Sequence, residues 1–287
     1  RRAFDVSQDL ARQDVRVVIG HYCSGAMIAA TKTYVEAGIL ALTPAATLPA
    51  VTEQQAWNVL RLASRDDAQA DATATRILTD DPTAKVAIVG DGQSLMRSLV
   101  QRLKGKLSAG VELTLKPGAT ELAETVTAIS ASGATVVYLA LSASDAGNLA
   151  KALREANVAA RFYGPDLLLN DVYQDRAGDA AEGTRVTFAT DPLTLANRFR
   201  VSQALPDGAS TEGATLPAFA AVEVFAAAAK GSDVNNGRAM ADWLKGGSKV
   251  STIIGDVQFD GRGDLAVQHF TWYRWSGGQF AEDPQQQ

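Results

Sequence analysis

The chain has 287 residues, 46% of them hydrophobic, with a formal net charge of −5 and a pI near 5.2. That is enough apolar material for one large domain or two ordinary ones, and we read two. No basic cluster is present, which argues against nucleic acid or an anionic membrane as partner, and no apolar run reaches the roughly 18 residues a membrane helix needs.

Residues 1–13 carry Phe4, Val6 and Leu10 as a loose helical stripe. Val15 to Ile19 is a β-branched run ending at Gly20, suited to a buried parallel strand. A helix ahead of such a strand belongs to a βαβ unit of about 30 residues or more. Its first strand is absent here, so an upstream segment is expected. Ser24 and Gly25 open a helix carrying Ile28 and Val35, with Ser24 expected as its cap and Gly38 just past its end. Ile39 to Leu42 is the next strand and Pro44-Ala45-Ala46-Thr47 a loop. Two parallel strands joined by a helix place both C-terminal strand ends on one edge, so the Ser24 turn and the Thr47 loop should lie side by side, where open α/β sheets bind ligands.

Trp57 to Leu62 alternates and reads as a strand or crossing segment. Asp66 and Asp67 look like caps of a helix running to Leu78. A series of β/α units follows: strands at Lys85–Val89, Val111–Leu115, Thr135–Leu141 and Ala160–Tyr163 interleave with helices at 95–107, Glu121–Ser130 and Ser144–Ala156. This predicts a parallel sheet covered on both faces. Gly164-Pro165-Asp166 ends the last of these strands. Residues 171–183 read as a polar loop with a short helix, Arg185–Ala189 as a strand, Pro192–Gly213 as helix then loop, and the segment from Pro217 as a helix. A shorter helix spans Arg238–Leu244. Gly255–Asp260 and Val267–Trp275 around Gly261-Arg262-Gly263-Asp264 predict a terminal hairpin, followed by a polar frayed tail, residues 282–287.

Several constellations carry little chemistry. Gly90-x-Gly92 has Leu95 at the third position of a dinucleotide fingerprint, and Glu112, about 20 residues on, falls inside a strand, so an ordinary turn is the simpler reading. Arg262-Gly263-Asp264 is explained by a glycine-flanked turn. His21 and His269 lie far apart and outside any metal-ligand spacing, so no metal or cofactor is expected. No nucleophile–base pair is read at Ser24 or Cys23, and no enzyme is expected. Ser24 at a helix N-terminus combines a hydroxyl with free N–H groups and suits a carboxylate. Thr47 offers a second hydroxyl, or merely caps a turn. Asp166 offers a carboxylate for an ammonium group, or is an exposed helix cap.

His21-Tyr22-Cys23-Ser24-Gly25, Glu36-Ala37-Gly38-Ile39, Thr43-Pro44-Ala45-Ala46-Thr47-x-Pro49, Gly164-Pro165-Asp166, Gly178-Asp179-Ala180-Ala181-Glu182-Gly183 and Phe259-Asp260-x-x-Gly263-Asp264 occur in this order. Together they cover essentially the whole chain, which resembles the leucine/isoleucine/valine-binding protein family, the periplasmic substrate-binding proteins of ABC-type amino-acid importers. The resemblance implies an α/β, two-lobed type I periplasmic binding protein, each lobe a parallel sheet flanked by helices, with three hinge crossings and the ligand in the interlobe cleft. The lobes implied are 1–66 and 193–253 for the first, and 67–192 with a C-terminal hairpin at 254–287 for the second. It further implies a monomer working with a membrane permease.

In the family, residues matching Ser24, Ala45 and Thr47 hold the amino-acid carboxylate and ammonium, and an acid at Asp166 receives the ammonium. Ala46 and Tyr22 share those motifs and join the candidate set. Three departures accompany the resemblance. The family has a strand, a helix and a second strand before Arg1, so an omitted N-terminal segment is expected. The amino-acid binders bridge a cysteine like Cys23 to one upstream, which implies a disulfide in an intact periplasmic protein. They also carry tyrosines near Leu95 and Ser142, which join the candidate ligand-binding set, and glutamate in place of Asp166, a change in the pocket's shape and polarity. The expected ligand is an aliphatic or branched-chain amino acid, with an aromatic acid or amide as the alternative that these departures open. A ligand-sensing domain of a receptor or regulator is a further alternative on the same fold.

Overall fold

The computed structural model describes residues 2–283 except Asp207, with the side chains of Ser94, Leu95 and Ala109 outside the description. The tail expected to fray therefore lies, beyond Asp283, outside the described residues. The chain forms two compact units, Arg1–Asp66 with Thr190–His269 and Asp67–Ala189 with Phe270–Gln287. It thus passes between them after Asp66, Ala189 and His269.

The first unit opens with the helix Arg2–Arg12. A parallel sheet follows, of β1 (Val17–Ile19), β2 (Leu40–Thr43) and β3 (Val59–Arg61), in that order. Alternation along β2 explains how its two faces are covered. Leu40 and Leu42 bury in a core with Leu216, Ala220 and Val224 of the helix Thr215–Gly231 and Met240 and Leu244 of the helix Gly237–Lys245. Ile39 and Ala41 bury instead with Met27, Ala30 and Tyr34 of the helix Ser24–Glu36. A strand buried on both faces reads as a continuous apolar run, which is why its position was legible. The alternating segment at 57–62 contains β3, whose three residues are all buried.

The second unit holds β4 (Val86–Gly90), β5 (Ala109–Thr114), β6 (Val136–Ala140), β7 (Arg161–Gly164) and β8 (Arg185–Ala189). Ala87, Val89, Val137, Leu139, Phe162 and Val186 face one helical layer, which includes Leu149 and Leu153. Val86, Ile88, Val136, Tyr138 and Tyr163 face the other, with Ile77, Leu99 and Leu103. This layer contains the helix Gln69–Asp80. Asp66 and Asp67 do not cap that helix: they form a single 3-10 turn, Asp66–Ala68, and Ala68 is the residue at the cap.

The expected hairpin of Gly255–Asp260 with Val267–Trp275 does not form; each segment takes another partner. β9 (Val250–Thr252) pairs antiparallel with β10 (Gly255–Val257) inside the first unit. β11 (Phe270–Ser276) pairs antiparallel with β8 and with β12 (Gln279–Glu282), completing the order β12-β11-β8-β7-β6-β4-β5. Residues 254–269 accordingly belong to the first unit rather than to the second lobe. The cause is burial: Val257 and Phe259 pack into the core of β2 and the helix Thr215–Gly231. An isolated antiparallel bridge, Phe259–Leu265, spans the turn at 260–264.

Candidate functional site

The loops after β1 and β2 come together at one edge of the first unit. The residue capping the helix Ser24–Glu36 is Cys23, whose carbonyl accepts from the N–H groups of Ala26 and Met27. Ser24 is the first helical residue, not the cap, and its freed hydroxyl reaches the neighbouring loop. Ser24 Oγ accepts from the Leu48 N–H at 3.2 Å. Thr43, at the end of β2, ties the two loops from below: its hydroxyl donates to the His21 carbonyl at 2.7 Å and accepts from Ala46 N–H at 3.0 Å. Ala45 N–H also approaches it, at 3.4 Å. His21 lies parallel to the Tyr34 ring, with its Nε2 3.0 Å from the hydroxyl. Burial holds its pKa below the ordinary imidazole value.

Thr47 Oγ1 donates to Asp66 Oδ2 at 3.1 Å, and the Thr47 carbonyl accepts from Asp66 N–H at 3.1 Å. The two hydroxyls at this edge therefore have opposite polarity. Ser24 Oγ has accepted and keeps its proton to donate, whereas Thr47 Oγ1 has given its proton away and keeps lone pairs to accept. Among the described residues, the Ala45 carbonyl and the Thr47 N–H make no hydrogen bond. Ser24, Ala45 and Thr47 are partly exposed, while Ala46 is fully buried with its N–H on Thr43 and its carbonyl on Arg61. Donors for a carboxylate and acceptors for an ammonium group thus occur within one loop pair.

In the second unit, Asp166 begins a single 3-10 turn after β7. Its N–H donates to Gln69 Oε1 at 3.0 Å, and the same oxygen accepts from Thr187 Oγ1 at 2.8 Å. Burial raises the Asp166 carboxyl pKa, and hydrogen bonds from Gln69 and the Leu167 and Asp166 N–H groups oppose this only in part. The rise reflects burial that these hydrogen bonds do not offset. Tyr138 of β6 is fully buried with no partner for its hydroxyl among the described residues. Burial raises its pKa, and the Asp166 charge raises it further.

The remaining candidates separate. Ser142 caps the helix Ala143–Glu155, accepting from Asp145 N–H at 3.2 Å and donating to Asp145 Oδ2 at 2.9 Å, so its hydroxyl is engaged locally. Tyr22 is exposed, with 69% of its surface open. The Leu95 side chain lies outside the described ones. Glu112, inside β5, is ion-paired with Lys104 at 2.5 Å, as befits a strand residue on a solvated face rather than a ribose ligand. Among the described residues no group of acids, histidines and cysteines could hold a metal ion. Also among them, no helix is long and apolar enough to cross a membrane.

Two residues outside the candidate set, Arg61 and Asp264 of the 259–264 motif, shape the first-unit loops. Arg61 of β3 is fully buried, and its Nη1 donates to the carbonyls of Ala46 at 3.1 Å and Leu48 at 3.0 Å. Asp264 accepts from Arg61 Nε at 2.6 Å. A charged residue inside an otherwise apolar strand was the available signal, since such a group survives burial only when paired.

Known proteins identify the family of the chain. The chain matches the family model described as periplasmic binding protein over residues 2–279. An amino acid binding protein of Pseudomonas aeruginosa is 34% identical over 284 residues, covering 96% of this chain and 76% of that protein. The Leu/Ile/Val-binding protein BraC3 of Rhizobium johnstonii is 34% identical over 271 residues, covering 92% and 74%. Among solved structures, an ABC transporter substrate-binding protein from Desulfitobacterium hafniense in complex with Leu superposes with a TM-score of 0.67 at 20% identity, covering 98% of this chain and 84% of that one. Its fold is that of the type I periplasmic binding proteins, and by sequence and architecture the chain belongs to the periplasmic binding protein family, among the leucine/isoleucine/valine-binding proteins.

Proposed function

We propose that this protein binds a free aliphatic amino acid and presents it to the membrane permease of an ABC importer, acting in the periplasm. The opposite hydrogen-bond polarity of Ser24 and Thr47 carries the reading. A zwitterion has a carboxylate needing donors and an ammonium needing acceptors on the same carbon. The Ser24 hydroxyl and Thr47 N–H match the first; the Thr47 hydroxyl and Ala45 carbonyl match the second. Asp166, whose burial its hydrogen bonds do not offset, is the proposed ionic partner of the ammonium. A membrane partner fits the relatives, one of them named as an ABC transporter substrate-binding protein.

Isothermal titration of the purified protein against amino acids, their deaminated analogues and aromatic acids tests this. Exothermic binding of leucine, isoleucine or valine, with weaker binding of 4-methylpentanoate, is the expected result. Binding of an aromatic acid with no heat from any amino acid would overturn the ligand class. A thermal shift with NAD or ATP and with no amino acid would overturn the binding role itself.

A further inference from the structure

The motif Phe259-Asp260-x-x-Gly263-Asp264 lies outside the candidate ligand contacts, yet the structure gives it a mechanical link to them. Asp260 Oδ1 accepts from three successive N–H groups, of Arg262, Gly263 and Asp264, at 2.9, 3.0 and 3.0 Å, which winds the turn tightly. Gly263 adopts φ +99°, and a Cβ there would stand 2.1 Å from the Val59 carbonyl oxygen, so only glycine lets the turn lie against β3. From that position the Gly263 carbonyl accepts from Arg61 N–H at 2.8 Å. The Asp264 carboxylate meets Arg61 Nε at 2.6 Å and Arg65 Nη1 at 2.9 Å. Thr52 Oγ1 closes the ring, donating to Asp264 Oδ1 at 2.8 Å and accepting from Arg61 Nη2 at 2.6 Å.

With Nε and Nη2 committed to the anion and the threonine, the guanidinium plane is fixed, and the remaining nitrogen, Nη1, meets the Ala46 and Leu48 carbonyls that flank Thr47 on either side. We infer that Arg61, oriented by Asp264 and the turn at 259–264, is a positioning residue that sets the direction in which Thr47 and the Ala45 carbonyl face the ligand. A planar fork with donors at fixed angles can hold two carbonyls and a carboxylate at once, whereas a lysine ammonium is a point charge on a flexible stem. Arg61 acts through the loop, holding the Ala46 and Leu48 carbonyls on either side of Thr47. The inference rests on the proposed role of that loop in binding.

The test uses Arg61→Lys and the isosteric Thr52→Val, with two readouts on the intact protein. Hydrogen exchange of the backbone amides at 45–48 is compared with those of the helix Ser24–Glu36, and the Kd for the best amino acid found by titration is measured alongside the melting temperature. Arg61→Lys should speed exchange at 45–48 tenfold or more relative to the helix and weaken binding by a similar factor. Thr52→Val, which removes the hydroxyl's bonds to Arg61 and Asp264 but leaves the Arg61–Asp264 pair, should do the same to a smaller extent. Unchanged exchange at 45–48 in both variants would overturn the inference. So would acceleration spread evenly over the whole first unit, which marks a merely structural role. Should Arg61→Lys fail to fold, Thr52→Val carries the comparison alone. If the loop loosens selectively but no amino acid binds even the wild type, the positioning stands and the functional reading falls.

Discussion

Ser24 and Asp166 test the binding chemistry from two sides. Ser24→Ala removes a hydroxyl donor near the surface of the first unit, and a hydrogen bond to a charged group is worth about 1.5–3 kcal/mol. Titration should therefore show amino-acid affinity falling by about 10- to 100-fold, with the melting temperature little changed because Ser24 is not the helix cap. Asp166 behaves differently, since burial raises its carboxyl pKa above the ordinary value. The folded state then holds its proton more tightly than the unfolded one. The resulting stability is full below the unfolded pKa and is lost as pH rises through the folded value. Asp166→Asn should accordingly leave the ligand-free melting temperature at pH 7 unchanged or raised, while weakening amino acids and sparing 4-methylpentanoate. Equal weakening of both ligands would deny Asp166 its ammonium. Ser24 and Thr47 were legible as neighbours because parallel strand ends share an edge. Their opposite polarity was not, since it depends on where Leu48 and Asp66 donate and accept.

Helices and strands were legible where burial imposed a period, and misread where a tertiary partner decided. β2 and β6 are apolar throughout because both faces are covered. The segment containing β10 looked like half of a hairpin because its turn is rich in glycine. Its partner is β9, only two residues upstream, and local pattern does not choose between two neighbours on either side. Gly147 shows the same competition within a helix. Judged by propensity alone, alanine in the middle of the helix Ala143–Glu155 should stabilise by about 1 kcal/mol. A Cβ at 147 would, however, stand 2.7 Å from the Tyr173 carbonyl oxygen and 2.6 Å from Arg176 Cβ, on the crossing helix Asp171–Ala177. Backbone cannot yield as a side chain can, and overpacking of this kind costs about 1–3 kcal/mol. The contact outweighs the propensity, so Gly147→Ala should lower the melting temperature, and a rise would show that the two helices part freely.

At the scale of the whole chain, the two units share one sequence in alternating pieces, and the second is finished only by the last strands. β11 pairs with β8 over five residues, Arg185 to Ala189 against Arg274 to Phe270. It brings Trp272 into the core beside Tyr163, edge to face at 5.9 Å between centroids, and Trp275 into the opposite core. Asp283, just past β12, accepts from Arg76 Nη2 at 3.0 Å and from Arg185 Nε at 2.8 Å, tying a helix to the sheet. A chain ending at His269 would lose all of this while keeping every strand of the first unit. Removing one buried aromatic costs about 3–5 kcal/mol, a large share of the 5–15 kcal/mol that stabilises a typical domain, and here two are removed together with the strand that holds them. The exposed edge of β8, with buried Val186 and Thr187, would also become a template for pairing between molecules. The truncated chain should therefore keep part of its far-ultraviolet helical signal, lose cooperative melting of the second unit and aggregate on concentration. A single sharp transition at the full-length melting temperature would mean that β4 to β8 form a stable sheet without the returning strands.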